Sequence, residues 1–279
     1  MISVLVFTLN EENNLPACLD CVKWSDDVHV LDSYSTDRTV EIARQYGATV
    51  WFRKFDNFGQ HQNWAFGNVA FKHPWVLYLD ADERVTPKLA ETMHAAAANP
   101  GPNVAFKIQR RDFFLNTWLK HVQMMAFYDR LFRPEKMTYE RLVHCVSKPD
   151  GPVSVIDGYL DHYPFSKGMA DWVTRHNRYS TFEAQQILID HAERKHVSMR
   201  AIFFPRDGSE RRQNLKELYY RLPMRPLVKF FVMYILKRGF LDRAAGLTYC
   251  VLIAFYEFLI VLKVRELEAD RAHDASNNK

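Results

Sequence analysis

Three polar clusters in the N-terminal third of the chain follow apolar runs abruptly, and their residue types suit metal and phosphate chemistry. Asp80-Ala81-Asp82-Glu83 sets three carboxylates in four positions directly after the apolar run 75–79. Like charges so close raise one another's pKa and destabilise a fold unless a cation joins them. Mg²⁺ or Mn²⁺ does this with oxygen ligands, usually sharing one or two carboxylates with substrate phosphates. The competing reading is a solvated turn that opens a helix, where acids are welcome. Thr8-Leu9-Asn10-Glu11-Glu12 follows residues 2–7, and Asp32-Ser33-Tyr34-Ser35-Thr36-Asp37 follows residues 28–31. A carboxylate at Asp32 suits a base edge or a ribose hydroxyl, with Ser33, Ser35 and Thr36 as donors; capping alone is the alternative. The chain has no GxGxxG and no GxxxxGK. A dinucleotide fingerprint and a P-loop are therefore excluded, and any phosphate must be met by metal and side chains.

The elements that must position these clusters alternate regularly. Residues 2–7, 28–31, 48–52 and 75–79 are short apolar runs that read as buried strands. Residues 13–22 put Leu15, Cys18, Leu19 and Val22 on one helical face. Residues 37–46 read as a helix capped by Ser35 or Thr36 and stopped by Gly47, residues 59–71 as another, and Thr86-Pro87 opens a further one. Strands alternating with helices imply βαβ units and a mostly parallel α/β sheet, which binds ligands at the carboxyl ends of its strands. All three clusters fall there. Residues 105–148 mix strand-like pieces with aromatics, while 166–186 and the chain from Asn214 read helical. Two apolar segments, 227–241 and 244–262, flank Asp242-Arg243, and the second holds 19 residues with one charge, Glu257. That length sits at the threshold for a membrane span; a helix lying in the interface and ordinary core or dimer packing also fit.

With 279 residues and 48% of them hydrophobic, the chain can bury a sizeable core in one large domain or a domain with an appended helical region. Its formal charge is only +4, but residues 190–243 carry 13 Lys/Arg against 6 Asp/Glu. A basic stretch beside apolar runs points to an anionic membrane surface. It does not point to nucleic acid, because the nearby aromatics sit inside apolar segments. Cys18 and Cys21 form a CxxC with no second pair, so they read as small apolar helix residues rather than a zinc or redox site. The N-terminus shows no basic n-region and no cleavage site, so a cytoplasmic chain is expected.

Taken in order, Thr8–Glu12, Asp32–Thr39, Asn57-Phe58-Gly59-Gln60, Gln62-Asn63-Trp64-Ala65 and Leu79-Asp80-Ala81-Asp82-Glu83-Arg84 resemble the inverting family 2 glycosyltransferases. The branch most similar is that of the lipopolysaccharide-core β-1,4-glucosyltransferases and related exopolysaccharide enzymes. The likeness continues through Trp118-Leu119-Lys120-His121, Arg130-Leu131-Phe132-Arg133, residues 160–163 and 165–179, and Arg238-Gly239-Phe240-Leu241-Asp242.

The resemblance implies a GT-A fold, with a nucleotide-sugar half over residues 1–104 and an acceptor half over 105–165; pattern, charge and composition add a membrane-associating helical region over 166–268 and a polar tail over 269–279. By position, Thr8, Asn10, Glu11, Asp32 and Ser33 would meet base and ribose, and Gln62 and Asn63 would line the nucleotide pocket. Asp80, Ala81 and Asp82 would form the DxD, with Asp80 and Asp82 holding Mn²⁺ or Mg²⁺ and Asp82 the more direct ligand. The donor would be a UDP- or dTDP-sugar and the acceptor a lipid-linked saccharide, at the cytoplasmic face of the bacterial inner membrane. A homodimer through the C-terminal helices is compatible with this reading. Trp118, Lys120 and His121 would line the acceptor surface, and His176 or Arg178 would meet the carrier's diphosphate. Inversion by a single displacement needs a general base, while the metal offsets charge on the leaving diphosphate. Relatives often carry Asp and Glu where this chain has Ala126 and Cys145, which leaves the base open among Asp129, Asp112, Glu140 and His144. A sugar nucleotidyltransferase and a non-catalytic nucleotide-sugar-binding protein are the competing classes.

Overall fold

The N-terminal apolar runs pair as parallel strands, so their polar tails emerge along one edge of the sheet. The computed structural model describes every residue except 124–126, 141–145, 194–198, 205, 223 and 278–279. His144, Ala126 and Cys145 thus lie outside the described residues. Strands β1 (Ser3–Thr8), β2 (Val28–Asp32), β3 (Thr49–Phe52) and β4 (Val76–Asp80) stand in the order β3-β2-β1-β4. Helices α1 (Leu15–Asp20), α2 (Thr39–Gln45) and α3 (Phe58–Asn68) make the crossovers between them. Then follow β5 (Glu83–Val85), α4 (Pro87–Ala98), β6 (Ala105–Phe114), β7 (Thr117–Trp118), β8 (Phe127–Phe132), β9 (Met137–Glu140), β10 (Val146–Pro149) and β11 (Val153–His162). The sheet runs on from β4 through β8, β6 and β11 to β5, with β7 on β6, while β9 and β10 pair separately. Joins around β8, β5 and β7 are antiparallel, so the sheet is mixed, with its parallel run in the nucleotide half.

Both faces of the sheet are covered. Leu15, Cys18 and Leu19 of α1, with Leu89 and Met93 of α4, pack on Val4, Val6, Leu77 and Leu79. Ala65 and Phe66 of α3, with Met137 and Tyr139 of β9, pack on Leu5, Leu31, Val76 and Tyr78. Thr86 caps α4 as its sequence predicts, its Oγ1 accepting from Leu89 N while its hydroxyl donates to the Tyr159 carbonyl at 2.8 Å. Gly158, at φ +113°, lets β11 pass so close to α4 that a Cβ there would stand 2.7 Å from Leu89 Cα.

The expected capping of α2 differs. Its N-cap is Arg38, with no side-chain cap bond, because the Ser35 hydroxyl is committed to Asp32.

Two compact units divide the chain, Met1–Met169 and Ala170–Lys279. The second contains most of α5 (Gly168–Glu193), then α6 (Met199–Phe203), α7 (Gly208–Arg221), α8 (Arg225–Phe231) and α9 (Arg243–Asn277). A π-helical turn over Val232–Leu236 and a 3₁₀ turn over Gly239–Asp242 link the last two helices. Helix α9 runs through most of the expected polar tail, where Glu266, Glu268, Ala269 and Arg271 are good helix formers. Ala184, Ile187 and Leu188 of α5 pack against Ile260 and Val264 of α9. Glu257, the one charge in the long apolar segment, is buried and paired with the equally buried Arg225. Leu227, Phe231, Leu236, Val251, Phe255 and Phe258 remain exposed. Gly239–Arg271 is long and apolar enough to cross a membrane by length and composition.

Candidate active site

Sheet register assembles the charged centre. Strand β11 has β5 on one side and β6 on the other, and its last residue, His162, lies opposite Glu83 and Asp112. Cross-strand neighbours share a face, so three groups separated widely in sequence meet beside the end of β4. His162 Nδ1 stands 2.5 Å from Asp112 Oδ1, and its Nε2 lies 3.4 Å from Asp82 Oδ2. Burial is the largest influence on this imidazole and opposes its charge. Asp82 and Asp112 outweigh it, raising the His162 pKa to about 9. Asp112, with His162 and Arg110 as partners, is held below the usual carboxylate range despite its burial.

A second group of contacts shapes the acidic turn. In the β6–β8 pairing Lys107 opposes Asp129 and Phe106 opposes Leu131, so Arg130 is the extra residue of a β-bulge. Bulges re-aim side chains, and here the guanidinium reaches Glu83 Oε1 at 2.6 Å and Asp80 Oδ2 at 2.7 Å. Glu83 is fully buried, and its other oxygen accepts from Asp80 N at 3.0 Å. Burial raises the Glu83 pKa, with Arg130 working against that rise. Asp80 Oδ1 accepts from Tyr78 Oη at 3.0 Å, and Tyr78 Oη accepts from Gln62 Nε2 at 2.8 Å. Both Asp80 oxygens are thus engaged. The crowded acids are balanced by Arg130, Arg110 and His162, counter-charges that local sequence spacing did not reveal.

The first two loops lock onto each other. Asp32 is completely buried and accepts from Thr8 Oγ1 (2.8 Å), Ser35 N (2.7 Å) and Ser35 Oγ (2.5 Å). Asn10, at φ 55°, accepts from Thr36 N at 2.8 Å, while its own N–H donates to Ser35 Oγ. Glu11 pairs with Lys167 at 2.6 Å and accepts from Asn14; burial raises its pKa. Ser33 Oγ lies 3.4 Å from His61 Nε2. This interlocking leaves two aromatic rings outside: Tyr34, at φ 64°, and Phe52 pack 5.8 Å apart at the ends of β2 and β3, 60% and 42% exposed.

The remaining expected residues scatter. Asn63 makes a two-bond bridge to the Tyr139 backbone, fastening α3 to β9. Ala81 is buried in the core, its carbonyl held by Arg84. Asp129 is buried, with Oδ2 accepting from Ser147 Oγ at 2.5 Å and Oδ1 without a hydrogen-bond partner among the described residues. Glu140 is exposed near Lys148. Trp118 meets Arg111, Tyr159 and Lys120, and Leu119 N donates to the Asp112 carbonyl at 2.9 Å, which sets Trp118, Lys120 and His121 next to the charged centre. His176 and Arg178 belong to the second unit, where His176 stacks on Trp172 at 3.7 Å and Arg178 lies over Phe182. Among the described residues no cluster of three or more His, Cys, Asp or Glu has the spacing of a ready metal cage.

Residues 3–149 match the family model described as Glycosyl transferase family 2. An uncharacterised glycosyltransferase of Rickettsia typhi is 25% identical over 281 residues, covering 95% of this chain and 87% of its own. A lipopolysaccharide core biosynthesis glycosyltransferase of Rhizobium meliloti is 28% identical over 196 residues, covering 66% and 71%. Among solved structures, glucosyl-3-phosphoglycerate synthase from Mycobacterium tuberculosis, with Mn²⁺, UDP and glucosyl-3-phosphoglycerate bound, is 22% identical over 40% of this chain and 43% of its own. The TM-score of 0.33 makes that a loose likeness.

Proposed function

We propose, for a chain that belongs to glycosyl transferase family 2 and so is a glycosyltransferase of GT-A fold, that it moves a sugar from a UDP- or dTDP-sugar to a lipid-linked saccharide of the cell surface, with inversion. The observation that carries the site assignment is the Asp82–His162–Asp112 alignment at the end of β4. Ligands about 2.1 Å from an octahedral ion lie roughly 3 Å apart, which the 3.4 Å between His162 Nε2 and Asp82 Oδ2 approaches. Asp112 fixes the other ring nitrogen, as a carboxylate behind a metal-binding histidine does. The residues therefore fit a divalent ion, held by Asp82 and His162, with Mn²⁺ favoured over Mg²⁺ by the imidazole. Such an ion would neutralise the leaving diphosphate. Asp80, with both oxygens engaged, keeps the acidic turn in shape from behind.

The nucleoside lies across the carboxyl ends of β1 to β3, on the loops that Asp32, Asn10 and Glu11 organise. Tyr34 and Phe52 offer the base a stacking surface. From β4 to β2 is two strand spacings, about 10 Å, the reach of a diphosphate and ribose. Asp129 is the base of this reading: Ser147 fixes one carboxylate oxygen, and the other, buried and without a partner among the described residues, would have to be uncovered as the acceptor binds before it could take the proton. Trp118, Lys120 and His121 flank the acceptor. The exposed apolar residues of α8 and α9 and the basic stretch before them support docking on an anionic, cytoplasmic membrane face. A lipopolysaccharide-type acceptor is supported by the Rhizobium relative's name.

A panel of nucleotide-sugars screened for Mn²⁺-dependent thermal stabilisation identifies the donor by mass action. Asp82→Asn is expected to abolish the response while its own metal-free melting curve stays cooperative. Unchanged donor binding and turnover in that variant would remove the metal from the reading.

A further inference from the structure

We propose that Cys18 and Cys21 are a modification site, forming a reversible disulfide that unfastens the acidic turn. Cys18 lies in the last turn of α1 and Cys21 is its C-cap, both as free thiols. Three residues apart on a helix, their Cα atoms are separated by roughly 5 Å, inside the range a disulfide spans. Their sulfurs hold the two ends of residues 80–85. Cys18 Sγ donates to the Asp80 carbonyl at 3.8 Å, and Cys21 Sγ accepts the Val85 N–H at 3.2 Å. Between those ends sit Asp82 and Glu83.

Cys18 is fully buried and Cys21 only partly so, which makes Cys21 the more accessible residue of the pair; its Sγ donates to the Cys18 carbonyl at 2.9 Å, and the Val85 N–H pointing at it would stabilise a thiolate there. The reagent class is a small disulfide. The Cys21 thiolate attacks one of its sulfurs, making a mixed disulfide and releasing one thiolate. Cys18 then attacks the Cys21 sulfur, its proton passing to the second small thiolate as that group is expelled. Two protein thiols and one small disulfide thus become one protein disulfide and two small thiols, with two electrons passing to the reagent. An S–S bond of about 2 Å turns each sulfur toward the other. The Asp80 carbonyl and the Val85 N–H lose their partners, and the turn carrying Asp82 loosens. In a reducing compartment the pair rests open, as sensing disulfides do.

The full chain is equilibrated in glutathione disulfide/glutathione mixtures, alkylated and peptide-mapped. Amide exchange over residues 80–85 and Mn²⁺-dependent UDP binding are measured on the same samples. The expected result is a Cys18–Cys21 disulfide, faster exchange at Val85 and about tenfold weaker UDP binding, all reversed by dithiothreitol. Cys21→Ser keeps an acceptor for Val85 N–H, so it should bind UDP like the reduced protein and ignore the oxidant. Absence of that disulfide, or a disulfide that leaves exchange at Val85 unchanged, overturns the proposal. The binding readout alone rests on the glycosyltransferase reading. If UDP never binds while Val85 exchange still responds, the modification site stands and that reading fails.

Discussion

Replacing His162 with Gln tests the charged centre most directly. The imidazole is wedged between Asp82 and Asp112 with only 14% of its side chain exposed. Its pKa rises from 6.5 to about 9 on folding. At 1.36 kcal/mol per unit this is about 3 kcal/mol of stability, to order of magnitude. The folded state holds the proton more tightly, so the contribution is complete below the unfolded value near 6.5 and disappears as pH rises through about 9. Metal-free wild-type protein should therefore lose stability between pH 6.5 and about 9.5, by roughly 6–12 °C in Tm for a unit of this size. His162→Gln should start lower and lack this slope. The assay is calorimetry or fluorescence melting at half-unit pH steps, with chelator present. Mn²⁺ titrations on wild type should in turn show affinity climbing about tenfold per pH unit up to pH 9, because the ion must displace the proton. A flat wild-type melting profile, or an identical slope in the variant, would refute the reasoning.

Arg130→Met removes the counter-charge of fully buried Glu83 and should cost about 3–5 kcal/mol at neutral pH. Denaturant melts should show part of that recovered in acid, where Glu83 takes a proton; no loss at pH 7 would contradict the pairing. Asp32→Ala leaves three donors without their acceptor and should destabilise by roughly 2–4 kcal/mol while weakening UDP or dTDP binding in calorimetry. Equal nucleotide affinity would detach this loop from the site. Liposome flotation should require anionic lipid and residues 227–262, and a truncated chain that still floats would dismiss membrane docking.

The sequence carried the local half of this architecture. Buried strands announce themselves as apolar runs, and the abrupt acids at 80–83 marked where a strand surfaces. Thr86-Pro87 specified its own cap because capping is decided within four residues. What compensates those acids was invisible, since His162 reaches Asp82 and Asp112 only through the register of β5, β11 and β6. Arg130 was noted as part of a motif, but its aim depends on a bulge that no local pattern encodes. Asp32 read as a strand-end carboxylate for a base edge or ribose hydroxyl, and its complete burial was not legible in the run that precedes it. Thr8 and Ser35, one of them from another strand, satisfy it completely. Long-range pairing decides such cases, and one chain read by itself holds little record of it.

The insertion at Arg130 has a structural corollary. Excising that single residue would leave Lys107 facing Asp129 and Phe106 facing Leu131 in unbroken succession. The two strands would then close flush, with every ladder partner kept. Shortening the strand by one residue would thus give a straighter, more regular weave around acids that have lost their nearest counter-charge and keep only Arg110 and His162. Irregularity here is the means by which one cationic head reaches beneath the loop, and a straightened variant would show how far backbone order and charge balance pull in opposite directions.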